Sequence, residues 1–100
     1  MPEKTLTVVA QIKAKQGAEE EVRQILLSLI EPTHQEPGCV DYTMHQGTED
    51  KSLFMFYENW TSKEALEEHI QKPHLQAFLA RAEELLDGPL DVSFWEKAGE

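Results

Sequence analysis

The stretch Leu53-Phe54-Met55-Phe56-Tyr57-Glu58-Asn59-Trp60, running straight into Thr61-Ser62-Lys63-Glu64, decides the fold of this chain. Its first part alternates strictly: Leu53, Met55, Tyr57 and Asn59 fall on one face, and Phe54, Phe56, Glu58 and Trp60 on the other. Period two with aromatic enrichment is the pattern of a strand. Both faces are largely apolar, so both are covered, by helices, by a ligand or by a partner. Thr61 to Glu64 has the form of a capping box, with Thr61 as N-cap and Glu64 reaching back to it. A strand therefore hands over directly to a helix carrying Ala65, Leu66, His69 and Ile70 on one side.

Outward from that junction the pattern is regular. From Thr5 to Lys13 the residues again alternate, with Leu6, Val8, Ala10 and Ile12 on one face. After Gly17, the residues Val22, Ile25, Leu26, Leu29 and Ile30 form one helical stripe, and Glu19 to Glu21 sit where a helix N-terminus favours anions. Pro32 and then Pro37-Gly38 mark its end. Val40, Tyr42 and Met44 alternate with Asp41, Thr43 and His45 in a second strand. Pro73 opens a new helical segment with the stripe Leu75, Phe78, Leu79, Ala82, Leu85 and Leu86. Asp87-Gly88-Pro89 stops it, and Leu90, Val92 and Phe94 alternate with Asp91, Ser93 and Trp95 in a last strand. The order βαββαβ over residues 1–100 is one α+β domain of the ferredoxin-like class, a four-stranded antiparallel sheet with helices on one face. The face left bare is expected to carry Val9, Phe54, Phe56, Trp60 and Trp95. Apolar surface of that extent calls for a second copy, sheet against sheet.

Composition narrows the function classes. The 100 residues hold 19 acidic and 9 basic side chains, a net charge of -10. That balance speaks against nucleic acid and against an anionic membrane surface. The densest apolar run, Ile25 to Ile30, is far short of the ~18 residues a membrane span needs. No leader-like apolar segment opens the chain, and one cysteine, Cys39, excludes an internal disulfide. The expected place is a reducing cytoplasm.

Glu58-Asn59-Trp60-Thr61-Ser62-Lys63-Glu64-Ala65-Leu66-Glu67-Glu68-His69, followed by Pro73-His74, resembles the E-x-W-x-S-x-E-A-L-x-x-H…P-H stretch of antibiotic biosynthesis monooxygenase (ABM) domains. Val8-Val9-Ala10…Gly17, the turn Glu36-Pro37-Gly38-Cys39…Tyr42 and Leu86-Asp87-Gly88-Pro89 resemble the same family. The resemblance implies a dimeric α/β barrel in which each protomer supplies one sheet, with a pocket between sheet and helices. It implies a cofactor-independent monooxygenase oxidising a quinol or polycyclic phenol with molecular oxygen. Oxygenating members pair the tryptophan at Trp60 with an asparagine four residues earlier, and here that position is Phe56. The haem-degrading branch has an asparagine on the first strand, and a tryptophan and a histidine in the second helical region. Those positions hold Val9, His69 and Leu79 here, which do not match. A branch resembling the autoinducer-2 phosphate isomerase does proton transfer on a small carbonyl compound, and a non-catalytic dimeric ligand-binding module is a third possibility. Fold alone does not choose among them.

The residues themselves rank as follows. His69, facing the sheet, is the candidate general base, oriented by Glu58, which would fix its tautomer. Trp60, Phe56, Phe54, Val9 and Trp95 are expected to wall the substrate site, with His74 and His45 at its rim. His69 and His74 are five apart across a helix break, not the i, i+4 pair of a helical metal motif, so no metal is expected. Cys39 has no basic neighbour in sequence and reads as a small buried hydrophobe.

Overall fold

The computed structural model describes residues 5–99. Four strands and five short helices run in the order β1 (Leu6–Lys13), α1 (Glu19–Ser28), α2 (Ile30–His34), β2 (Cys39–Gln46), β3 (Leu53–Trp60), α3 (Lys63–Gln71), α4 (Pro73–Ala80), α5 (Ala82–Leu85) and β4 (Asp91–Trp95). The sheet is antiparallel throughout, in the spatial order β2-β3-β1-β4. It is an open sheet with helices on one face, as the sequence pattern requires.

Local chemistry explains most boundaries. Gly17 and Gly88 adopt positive φ in the turns that leave β1 and precede β4, a region that glycine reaches without strain. The first helical stripe does not stop at Pro32. A second short helix begins at Ile30, and Pro32 falls in its first turn, where a missing N–H costs no hydrogen bond. The cap of α3 lies one residue later than the capping box suggests: Ser62, extended at φ -162° and ψ 167°, accepts from the Ala65 N–H at 3.1 Å. Pro73 occupies the first turn of α4, and Lys72 before it is held extended, which separates α3 from α4.

Register settles which side chains share a face. Leu6 pairs with Trp60, Val8 with Glu58, Ala10 with Phe56 and Ile12 with Phe54. These pairs lie under the helices, where Phe54, Phe56 and Trp60 are almost wholly buried with Val22, Leu26, Leu66, Phe78 and Leu85. The placement of Phe54, Phe56 and Trp60 on the bare face is thus corrected. The reason is parity: Val9 pairs with Tyr57, so it cannot share a face with Phe56. Val9 and Trp95 do lie on the open face, with Thr7, Asn59, Tyr57 and Met55 of β1 and β3 and with Asp41, Thr43 and His45 of β2. That face is more mixed than the sequence reading implies, and Thr7, Asn59 and Asp41 join across it in a hydrogen-bonded row. Its large exposed residues are Tyr57 at 42% and Trp95 at 58%. On the helix side of β4, Phe94 and Val92 are exposed as well, because the helices do not reach over this edge strand.

Candidate functional site

Between the sheet and the helices lies a cavity of about 50 Å³, whose wall includes Tyr42 of β2, Phe56 and Glu58 of β3, His69 of α3, and Leu75 and Phe78 of α4. The strand–helix junction singled out in the sequence creates it. Glu58 points inward because it alternates in phase with Phe54, Phe56 and Trp60, and His69 points inward because it shares the buried side of α3 with Leu66. The wall is otherwise aliphatic and aromatic. Its volume is well below the roughly 300–1,000 Å³ of ordinary ligand pockets. A ligand of aromatic size enters only if this wall moves.

Glu58 is 5% exposed, and its Oε1 accepts from Trp60 Nε1 at 2.8 Å. Burial pushes its carboxyl up to about 7; the Trp60 hydrogen bond opposes the rise and the negative charge of Glu36 adds to it. The neighbouring Tyr42 phenol is pushed well above its usual range, by burial first and then by the charge of Glu58. Tyr42 also stacks on Phe56 with ring centroids 4.4 Å apart.

The partner of His69 is Glu36. His69 Nδ1 lies 2.9 Å from Glu36 Oε2, and His74 Nε2 lies 2.9 Å from the same oxygen. A carboxylate can only accept, so the hydrogen on each of these nitrogens is assigned to the hydrogen bond. His69 Nε2 then carries a lone pair, with no hydrogen-bond partner among the described residues. Burial lowers the His69 pKa, against the hydrogen bond and charge of Glu36, which raise it. The ring is clamped by Trp60, 4.5 Å away between centroids, and by Tyr42 at 5.5 Å. The expected Glu58–His69 hydrogen bond is therefore absent: Glu58 is occupied by Trp60, and both groups instead border the same cavity.

The other candidates scatter. Trp60 backs His69 rather than walling the cavity, Phe56 does line it, and Phe54 lies deeper in the core. Val9, His45 and Trp95 are on the opposite face of the sheet, so they cannot meet His69 within one protomer. His74 joins the site through Glu36. The Cys39 thiol is pushed up to about 11, by burial and then by Glu36, which removes it as a nucleophile near neutral pH. Sequence reasoning missed Glu36 and Tyr42 as site residues. Glu36 had one signal, its place in the Glu36-Pro37-Gly38 turn; Tyr42 had only an inward position on β2.

The antibiotic biosynthesis monooxygenase family model matches residues 5–81. The chain belongs to the ABM family. The protein sll1783 of Synechocystis is 30% identical over 93% of this chain, and the match spans 63% of that longer relative. Bacillus subtilis "Putative monooxygenase YcnE" is 31% identical, over 87% of this chain and 92% of its own length. The crystal structure of PA3566 from Pseudomonas aeruginosa superposes with a TM-score of 0.94 at 30% identity, covering 99% of both chains. Family and relatives together support a monooxygenase-like role. Among the described residues no helix is long and apolar enough to cross a membrane.

Proposed function

We propose that this ABM-family chain is a cytoplasmic oxygenase that oxidises a quinol or polycyclic phenol with molecular oxygen and without a nucleotide or flavin. One observation carries the reading: His69, buried beside a cavity that is apolar apart from Glu58, has Nδ1 tied to Glu36 and an unpartnered lone pair on Nε2. That is a base of fixed tautomer. A phenol whose proton passes to Nε2 becomes an electron-rich anion that reduces oxygen directly. One oxygen atom enters the substrate carbon and the other leaves as water, the substrate supplying the electrons. The free Cys39 thiol agrees with a reducing compartment.

The same reading includes a homodimer through the open sheet face, where Val9, Tyr57 and Trp95 would be covered. The test of function is oxygen uptake by chelator-treated protein with menadiol and an anthrone. Excess over the autoxidation blank is expected, with a loss of about 10²-fold or more in His69→Gln. No excess with either substrate refutes it. Glu58, poised near neutrality, favours a second reading, proton transfer on a small carbonyl compound. That reaction needs no oxygen, so turnover under nitrogen separates the two.

A further inference from the structure

Glu36, remote in sequence, meets His69 and His74 at the far side of the His69 ring. Glu36 comes from the turn between α2 and β2, His69 from the end of α3, and His74 from the first turn of α4. Their donor atoms, Glu36 Oε2, His69 Nδ1 and His74 Nε2, all lie within 4.8 Å of one another. The break at Lys72–Pro73 makes this possible: it turns α4 back so that a histidine five positions on faces the same carboxylate. We propose that Glu36, His69 and His74 bind one first-row divalent transition metal ion of the zinc type, with water in the fourth position.

The donor set argues for that class of metal. Two imidazoles and a carboxylate suit zinc and its neighbours, whereas magnesium and calcium take oxygen ligands. At metal–ligand bonds of about 2.1 Å, tetrahedral donors stand about 3.4 Å apart. Here Glu36 Oε2 is 2.9 Å from each nitrogen, so each pair opens by about half an ångström to admit the ion. His69 needs no search for its rotamer, being held between Trp60 and Tyr42. Glu36 is almost completely buried and His74 is 20% exposed, so the entry path and the water position lie on the His74 side. The net charge of -10 favours any cation at this site.

Metal binding would also act on the cavity. The ion takes the lone pair of Nδ1, so the ring proton must reside on Nε2, and His69 then donates into the cavity instead of accepting. Only this consequence rests on the proposed base role of His69; the binding itself does not. In one experiment, chelator-dialysed protein is titrated with Co²⁺, read by visible absorption, and with Zn²⁺, read by calorimetry. One equivalent binding at micromolar Kd or tighter is expected. His74→Gln, a change at a part-exposed residue, and Glu36→Gln should each weaken it by about tenfold or more, and Cys39→Ser should leave it unchanged. Absence of saturable binding below about 100 μM overturns the site. So does binding that survives both His74→Gln and Glu36→Gln, each confirmed folded by circular dichroism. Neither readout requires turnover, so failure here leaves the oxygenase reading standing, and failure of oxygen uptake leaves the metal site standing.

Discussion

Glu58→Gln should gain stability relative to the wild type as the pH rises from 4.5 to 8. In the native state the Glu58 carboxyl is raised from 4.5 to about 7, chiefly by burial. Between those values the folded protein holds a proton that the unfolded chain has lost, so stability falls as pH rises through this window and is level above it. At about 1.4 kcal/mol per pH unit, the full effect is about 3 kcal/mol. Gln keeps the acceptor for Trp60 Nε1 but brings an NH₂ that the apolar wall does not satisfy, a cost of about 1–3 kcal/mol at every pH. The absolute stability of the variant is therefore less informative than its slope. Urea melts of both proteins at one protein concentration, from pH 4.5 to 8.5, give that slope directly. All other ionisable groups are shared and drop out of the difference. The variant should gain about 3 kcal/mol on the wild type across the series, a relative shift of more than about 10 °C in Tm. Parallel curves would show that Glu58 titrates normally and that the cavity is wet, which would refute the placement of this carboxylate in a dry site.

Other perturbations test the frame around the site. Ser62→Ala should cost about 1 kcal/mol by thermal melt and Thr61→Ala distinctly less, because the Ser62 Oγ holds the Ala65 N–H. A Cβ on Gly38 would collide with the Cβ of Ala65, so Gly38→Ala should force α3 away from β2 and cost about 1–3 kcal/mol in a urea melt. Phe78→Ala, which removes a buried wall of the cavity, should destabilise by about 3–5 kcal/mol while tightening the binding of a naphthol measured by fluorescence. Trp95→Glu on the open face should shift sedimentation from dimer to monomer at micromolar concentration; an unchanged sedimentation coefficient would place the dimer contact elsewhere.

The fold was legible because the signals were local. Alternation in β1 and β3, the turn at Asp87-Gly88-Pro89 and the helix start at Pro73 each depend on neighbours in sequence, and each lies where the pattern placed it. The facing of β3 was not legible in the same way. Its two faces are both apolar, and only the pairing of Val9 with Tyr57 shows that the Phe54–Phe56–Trp60 side lies under the helices. Register is a non-local property, and one residue of parity moves every side chain to the other face. The site was half legible for the same reason. His69 and Glu58 followed from strand and helix phase, but the choice of Glu36 over Glu58 as the partner of His69 depends on how the α2–β2 turn docks against α3. No spacing rule connects positions 33 residues apart.

The two buried carboxylates divide the labour. Glu36 receives two imidazoles on one oxygen and holds a histidine in a single orientation. Glu58 receives only the Trp60 indole and stands among apolar residues, where a neutral side chain of the same size would cost less to bury. The carboxyl satisfies the buried Trp60 N–H, a structural role, and its raised pKa beside a cavity makes it in addition a candidate for proton transfer. Glu58 near neutrality can give or take a proton across the same cavity into which His69 presents its lone pair. Under the proposed function, an acid and a base of unlike surroundings around one closed space would act as a proton-handling pair, and either oxidation of a phenol or isomerisation of a carbonyl compound would use such a pair. What separates the two reactions is whether oxygen reaches that space with the substrate. That makes the Leu75 and Phe78 wall, which would have to move to admit a ligand of aromatic size, the part of the structure on which specificity would turn.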